Sequence, residues 1–261
     1  MKPLATGAVC LVLLGFGSAP AQPAGSQTLT VFAAASLHNA FTAIAERFKA
    51  AHPGVAVKLN FDGSQILETQ IANGAPADVF ASADQRSMGK AVDARLVGTP
   101  VVFARNSLVG IARFDTGGIT SLRDFTRDGF KLAVCVETMP CGDYTHIALQ
   151  KMSADPHYWK DYAKQVMHNV VSQELNVEAV LAKAKVGEVD GGFVYATDAL
   201  HAGPSLFQVF PVPDEDQEIP TYPIAIVKNA PNASLAQAFV DLVLSTDGQV
   251  MLASDGFRHR P

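Results

Sequence analysis

The chain alternates short apolar runs with amphipathic stretches, and this alternation constrains the fold more than any other feature. Residues 29–35 have the pattern of a buried strand, and residues 37–51 place apolar side chains at the spacing of a helix that packs on one face. A strand that leads directly into such a helix begins an α/β unit. Two further strand and helix pairs follow over residues 55–84. Three α/β units are therefore predicted in the first part of the chain.

A second block of strand and helix patterns begins near residue 101. It consists of predicted strands over 101–104, 108–112, 131–136, 192–195 and 222–227 and predicted helices over 143–152, 177–185 and 234–244. Repeats of 20 to 50 residues are not visible, which excludes solenoids and propellers. A chain of 261 residues is long enough for two lobes with separate hydrophobic cores. We therefore predict an α/β fold with two lobes.

The N-terminus has the composition of a secretory signal peptide. Lys2 is followed by an apolar stretch over residues 4–16 and then by small residues, among which 19–21 fit an A-x-A cleavage site. The apolar stretch is too short to cross a bilayer of ~30 Å. We predict that residues 1–21 are a signal peptide that is cleaved on export. Lipidation at Cys10 is the weaker alternative.

Export changes the interpretation of the three cysteines. Cleavage removes Cys10 and leaves Cys135 and Cys141 as a pair in a compartment where disulfides persist. Pro140 favours a turn between them, and an offset of six residues across a turn can bring two Cα atoms within bridging distance. We predict a disulfide between Cys135 and Cys141, with two unpaired buried thiols as the alternative.

Composition and motifs exclude several functions. The formal net charge of −5 and the absence of a lysine and arginine cluster argue against nucleic-acid binding. The seven histidines are scattered without metal-ligand spacing, and the common motifs of hydrolases and nucleotide-binding proteins are absent. Ser36 and His38 combine a nucleophile with a base, but positions i and i+2 of a helix face different sides. We predict that the chain is neither an enzyme nor a cofactor-binding protein.

Four predicted helix starts share a composition that suits a small anion. They are preceded by strands or turns and carry small, hydroxyl or amide residues, at 33–36, 62–64, 140–143 and 175–177. Helix N-termini have unpaired N–H groups and a partial positive charge, so several that converge form an anion site without any cationic side chain. Each of them alone is better explained by ordinary helix capping. Asp84 and Asp198 are expected to cap or orient loops, and Asp78 to make a buried structural hydrogen bond.

The sequence resembles the periplasmic molybdate-binding proteins of ABC importers from about Leu29 to Arg258. The segments that carry the resemblance are VFAAASLHNAF (31–41), GAPADVFASAD (74–84), NSLVGIA (106–112), PCGDYT (140–145), GGFVYATDAL (191–200), YPIAIVK (222–228) and SDGFR (254–258). The combination of AAASL with GAPADVFASAD is far more specific than any short motif alone.

The resemblance implies a set of ligand-binding groups at matching positions. These groups are the hydroxyls of Ser36 and Ser64, the backbone N–H groups of Cys141 and Val177, and the hydroxyl of Tyr195. All five would contact oxygen atoms of the anion, so no protein atom is expected to bind the metal ion directly. The same helix starts were selected above from the residues alone.

The resemblance also implies an architecture and a cellular role. The fold would be the type II periplasmic binding protein fold, with lobe one over 27–105 and 220–261, lobe two over 106–219, and the ligand in the cleft between them. A monomer in the periplasm would capture molybdate, and tungstate as well, and deliver it to the permease subunits of an ABC importer. The alternatives are the same fold with another small anion such as sulfate or chromate and, from a different class, an exported serine hydrolase.

Overall fold

The computed structural model describes residues 27–203 and 205–260. In chain order the strands are β1 (Thr28–Ala34), β2 (Ala56–Asp62), β3 (Val79–Ala81), β4 (Val101–Arg105), β5 (Leu108–Arg113), β6 (Leu132–Cys135), β7 (Val170–Glu174), β8 (Gly191–Tyr195), β9 (Phe207–Pro211) and β10 (Thr221–Ile226). The helices are α1 (His38–Ala51), α2 (Ser64–Ala72), α3 (Gln85–Asp93), α4 (Pro140–Ala154), α5 (Tyr162–His168), α6 (Val177–Val186), α7 (Ala196–His201), α8 (Ala233–Leu244) and α9 (Thr246–Ser254). The predicted signal peptide lies outside the described residues.

The strands form two separate five-stranded sheets. The first has the order β2-β1-β3-β10-β4, and the second has the order β7-β6-β8-β5-β9. In the first sheet β1, β2 and β3 are parallel, while β10 is antiparallel to both of its neighbours. The chain passes between the sheets twice, at Asn106–Ser107 and over residues 212–220. Each sheet with its helices forms one α/β layer. Strands β4 and β10, which the sequence pattern grouped with the second block, belong to the first layer.

Each sheet has its own apolar core. In α1, the apolar residues Phe41, Ile44 and Phe48 are fully buried on the face that packs against the first sheet. Phe41 and Phe48 also contact Phe239 of α8 in edge-to-face geometry. The second sheet is covered on both faces, with one cluster around Phe125 and another that includes residues of α6. Because each layer packs around its own core, a cleft can lie between the two layers.

Several element boundaries differ from the sequence-based predictions. The α4 helix begins at Pro140, whereas the pattern predicted a start at Asp143, because proline is well suited to the first helical position, where no N–H is needed. Residues 35–37 form a 3-10 turn that precedes α1. The elements α5, α7, α9, β7 and β9 were not predicted. The strands β7 and β9 lie at edges of the second sheet and are only partly buried, so neither has the pattern of a buried central strand.

Buried aspartates have the structural roles that the sequence suggested. The carboxylate of Asp78 accepts hydrogen bonds from the N–H groups of Thr30 and Asn232, at 2.8 and 2.7 Å. Asp84 caps α3 by accepting from the Ser87 N–H at 2.8 Å.

In the part of the chain that the structure describes, no helix combines the length and apolar character needed to span a membrane.

Candidate functional site

A small cavity lies between the two sheets, where β1 and β2 of the first sheet end. The empty space in it, including its open mouth, is about 230 Å³. The residues predicted to bind the anion all line it, namely Ser36, Ser64, Cys141, Val177 and Tyr195. The fold therefore brings together residues that are up to 159 positions apart in the chain (195 − 36 = 159).

Four of the five residues follow a strand directly or within a short turn, and the fifth ends a strand. Ser36 lies in the 3-10 turn after β1, and Ser64 is the first residue of α2 after β2. Cys141 and Val177 lie in the first turns of α4 and α6, which come after β6 and β7. Tyr195 is the last residue of β8. The ends of strands from both sheets thus face one cavity, which is a common location for ligand sites in α/β proteins.

The Ser64 side chain is held so that it can donate a hydrogen bond into the cavity. Its Oγ atom accepts a hydrogen bond from the Ala83 N–H at 2.9 Å. Ser64 is 1% exposed, so solvent does not compete for the hydroxyl. Because the Ala83 amide occupies an acceptor position of the hydroxyl oxygen, the hydroxyl proton remains available for a ligand.

The Ser36 side chain makes a different contact, with a tyrosine that the sequence analysis did not single out. Its Oγ atom lies 2.9 Å from the hydroxyl oxygen of Tyr222, and both residues are buried. Tyr222 lies in β10, near the second passage between the sheets. The two residues are 186 positions apart, and nothing in the local sequence around Tyr222 indicates this contact.

Tyr195 contributes a buried hydroxyl that lacks a partner. The side chain is 1% exposed, and its hydroxyl has no hydrogen-bond partner among the described residues. Burial raises the pKa of Tyr195 well above that of a free tyrosine, and the nearby tyrosines 222 and 144 add to the shift, so the hydroxyl keeps its proton. A buried donor without an acceptor costs about 1–3 kcal/mol. An acceptor inside the cavity would remove that cost.

Backbone amides at the starts of two helices beside the second sheet add further donors. The amides in the first turn of a helix have no acceptor within the helix. Pro140 has no N–H, so the first amide of α4 is that of Cys141. In α6, the Asn176 side chain accepts from the Ala179 N–H at 2.9 Å and leaves the Val177 amide to the cavity. The partial positive charges of both helix N-termini favour an anion at this place.

The cavity lining combines neutral donors and two helix N-termini with one carboxylate. Lysine, arginine and histidine are absent from the described residues that line it. Asp62 is the acidic residue of the lining, and its Oδ1 accepts from the Gly63 N–H at 2.8 Å and from the Asn176 amide group at 3.1 Å. Through these two hydrogen bonds, Asp62 connects the start of α2 with the start of α6. The arrangement suits a small anion that is held by hydrogen bonds alone.

The predicted disulfide between Cys135 and Cys141 is present. The Cα atoms of the two cysteines are 5.7 Å apart, and both side chains are buried. The bond joins the end of β6 to the first turn of α4, which carries the Cys141 amide. A Cβ atom at the neighbouring Gly142 would lie 2.0 Å from the Val136 carbonyl oxygen, so helix and loop are in close contact here. The disulfide therefore fixes the position of one of the cavity amides.

Replacement of both cysteines by alanine is expected to lower the free energy of unfolding by about 2 kcal/mol. The expected loss follows from the additional freedom of the unfolded chain once a short loop is no longer closed. Urea unfolding of the C135A/C141A variant measures this difference. The control is the wild-type protein unfolded without reductant, in which the disulfide stays closed in both states. An unchanged free energy of unfolding in the variant would contradict the expectation.

Contacts across the mouth of the cavity connect the two layers. The Arg86 side chain of α3 forms a salt bridge with Asp143 of α4 at 3.1 Å. The Gln65 side chain donates a hydrogen bond to the Thr138 carbonyl. Gly63 lies so close to the Leu175 backbone that an added Cβ atom would be 2.7 Å from its carbonyl oxygen. The structure therefore has the two layers closed over the cavity.

Comparison with known proteins assigns the family. The sequence model for the family described as bacterial extracellular solute-binding protein matches residues 29–258. The chain belongs to this family. A relative of this solute-binding protein is the molybdate-binding protein ModA of Mycobacterium tuberculosis, which is 38% identical over 253 residues, or 95% of this chain and 92% of the relative.

Solved structures share the fold of this solute-binding protein. The periplasmic molybdate-binding protein of Azotobacter vinelandii matches with a TM-score of 0.76 and 21% identity over 89% of this chain and 100% of that chain. The sulfate-binding protein SubI of Mycobacterium tuberculosis matches with a TM-score of 0.77 and 18% identity over 89% of this chain and 87% of that chain. The resemblance and the two-lobe α/β fold of type II that were inferred from the sequence are thereby confirmed.

Proposed function

We propose that this solute-binding protein binds molybdate, and tungstate with similar affinity, in the cavity between its two layers. The observation that carries the proposal is the buried Tyr195 hydroxyl, which has a proton to donate and no acceptor among the described residues. The Ser64 hydroxyl and the amides of Cys141 and Val177 line the same cavity. Molybdate would accept a hydrogen bond from each of these groups through its oxygen atoms. Its relative in Mycobacterium tuberculosis is named for molybdate.

A cavity that offers donors favours an anion without protons. Molybdate is a dianion at neutral pH, and all four of its oxygen atoms can accept hydrogen bonds. Hydrogen phosphate retains a proton, which would have to face an acceptor inside the cavity. Because a buried donor without an acceptor is costly, hydrogen phosphate should bind more weakly. Charge-assisted hydrogen bonds contribute about 1.5–3 kcal/mol each, so a few donors are enough for useful affinity.

Discrimination against sulfate has to depend on size, because sulfate has the same charge and the same tetrahedral shape. In a cavity matched to molybdate, the smaller sulfate ion cannot reach the donors of both layers at once. Tungstate is nearly the same size as molybdate, so we expect little discrimination between the two. The fold itself also serves a sulfate-binding protein, so sulfate is the second candidate ligand.

We further propose how the chain moves and where it acts. Residues 27–105 and 220–261 would form lobe one, and residues 106–219 would form lobe two, with the two passages between the sheets as the hinge. Only the closed form brings the donors of both lobes to the anion, so binding would favour closure. The closed monomer would present molybdate to the permease subunits of an ABC importer in the periplasm.

An exported serine hydrolase is the alternative from another class. General base catalysis requires a base within hydrogen-bond distance of the nucleophile. Histidine is absent from the described cavity lining, and the hydroxyls of Ser36 and Ser64 contact Tyr222 and the Ala83 amide. His38 is exposed and contacts Asn39 and the ring of Phe61. These contacts favour binding over hydrolysis.

Calorimetric titration of the mature, dialysed protein tests the proposed ligand. We expect one molybdate to bind per chain, with sulfate at least ~100-fold weaker, which corresponds to about 2.7 kcal/mol. Hydrogen phosphate should be weaker than molybdate as well. The control variant is Gly89→Ala, because Gly89 of α3 has free space around it and does not line the cavity. Tight sulfate binding without molybdate binding would assign the second candidate, and no heat with any of these anions would reject the oxyanion proposal.

A further inference from the structure

We propose that Tyr222 is a positioning residue that directs the Ser36 hydroxyl proton towards the bound anion. The inference rests on the proposed function and deepens that function by naming a residue outside the cavity lining that determines specificity. Tyr222 is fully buried and is absent from the residues that line the cavity. It acts through a chain of hydrogen bonds that runs from Asn106 through Tyr222 to Ser36.

The chain begins at Asn106, whose side-chain orientation is fixed by its neighbours. The Oδ1 atom accepts a hydrogen bond from the Ser107 N–H at 2.8 Å. A backbone N–H cannot face the amide nitrogen, so this contact identifies the oxygen and nitrogen of the side chain. The Nδ2 atom then donates its two protons, one to the Thr197 hydroxyl at 3.0 Å and one to the Tyr222 hydroxyl at 3.2 Å.

The Asn106 contact determines the role of the Tyr222 hydroxyl. Its oxygen accepts from Asn106, which has no free lone pair on Nδ2 to take a proton in return. Among the described residues, the other hydrogen-bond partner of the Tyr222 hydroxyl is Ser36, whose Oγ lies 2.9 Å away. Burial raises the pKa of Tyr222 well above its ordinary value, so the hydroxyl keeps the proton it has to donate. Tyr222 therefore donates to Ser36.

The Ser36 hydroxyl is then left with a proton to donate. Its oxygen accepts from Tyr222, so its own proton points away from Tyr222, and the residue lines the cavity. Ser64 is in the equivalent state, because its oxygen accepts from the Ala83 N–H. Both serines are thus set as donors before the anion arrives. Because Tyr222 occupies one acceptor position of its oxygen, Ser36 favours ligand oxygen atoms that carry no proton.

A double-mutant cycle with Tyr222→Phe and Ser36→Ala tests the inference. Y222F removes the donor to Ser36 and retains the ring, which packs edge-to-face against Phe103 and Phe257. We expect the molybdate Kd of Y222F to rise about 3- to 10-fold, the usual effect of one neutral hydrogen bond. In the S36A background the same substitution should change Kd less than about 2-fold, because the residue through which Tyr222 acts is missing.

The anion specificity gives a second readout. A Ser36 hydroxyl that is released from Tyr222 can also turn its oxygen towards a protonated anion. The ratio of hydrogen phosphate to molybdate Kd values should therefore fall in Y222F. A purely structural effect would weaken both anions equally and leave this ratio unchanged. Thermal melting of each variant confirms that it is folded before it is titrated.

Asn106→Asp tests the same hydrogen bonds from the other end. It places an acceptor where Nδ2 donates, so the Tyr222 proton would turn to residue 106 and Ser36 would lose its donor. We expect weaker molybdate binding in N106D, and a smaller further effect in the S36A background. Equal effects of Y222F with and without Ser36, together with an unchanged anion ratio, would overturn the inference. The proposed function is tested separately, because that test measures molybdate binding by the wild-type protein and uses neither variant.

Discussion

Replacement of Gly63 by alanine is expected to weaken molybdate binding about 5- to 150-fold and to leave the ligand-free protein nearly as stable as before. The Cβ atom of alanine would lie 2.7 Å from the Leu175 carbonyl oxygen and 3.2 Å from the Met139 sulfur. Both atoms belong to the opposite layer, so the clash exists only when the layers are closed. Overpacking of this kind costs about 1–3 kcal/mol, which sets the expected range of Kd.

The ligand-free protein can avoid the clash by opening. The Gly63 backbone, with φ at −58°, is accessible to alanine, and the loss of glycine at the helix N-cap should cost no more than about 1 kcal/mol. Calorimetry gives the change in Kd, and urea unfolding gives the change in stability. Gly89→Ala is the matched control, since a Cβ atom there meets no other atom within 4 Å. Unchanged affinity in G63A would mean that the anion does not require the closed form.

Tyr195→Phe is expected to weaken molybdate binding without lowering the stability of the ligand-free protein. The variant loses a hydrogen bond to a charged ligand, worth about 1.5–3 kcal/mol, so the molybdate Kd should rise about 10- to 150-fold. The ligand-free protein loses a buried hydroxyl that has no partner among the described residues. Its free energy of unfolding should therefore stay the same or increase. The sign of the second effect separates a ligand contact from a general packing role.

Tyr162→Phe provides the matched control for this substitution. Tyr162 is also fully buried, but its hydroxyl donates to the Leu122 carbonyl at 2.5 Å, far from the cavity. Y162F should therefore lower the free energy of unfolding by about 1 kcal/mol and leave the molybdate Kd unchanged. Calorimetry and urea unfolding of both variants complete the comparison. A Y195F protein that is less stable yet binds molybdate normally would contradict the assigned role of Tyr195.

The parts of the fold that the sequence predicted are those with strong local patterns. The apolar spacing of residues 37–51 suffices to predict α1, and β1 ends in a continuous apolar run over residues 31–34. The missed helix α7 has six residues, too few to establish a helical period. Strand β7 alternates between partly buried and exposed positions without a fully buried face. Local patterns therefore indicate buried elements well and edge or short elements poorly.

The residues of the candidate site also differ in how well local sequence patterns predict them. Ser36, Ser64, Cys141 and Val177 lie at helix starts that the sequence marks with small residues and caps, so they can be selected from local composition and from the family resemblance. Tyr222 has no such mark. Its contacts with Asn106 and Ser36 connect residues that are 116 and 186 positions apart, and they exist only after the layers have packed. The direction in which a hydroxyl points is a tertiary property.

The sheet order has a consequence for the sequence of events in folding. Strand β10 lies between β3 and β4, so β4 has no partner in the first sheet until residues 221–226 are in place. All strands of the second sheet, in contrast, come from the continuous segment 108–211. Closing the first sheet requires contacts of long sequence separation, which slow folding. We expect the second sheet to form first and the first sheet to remain incomplete until nearly the whole chain has emerged.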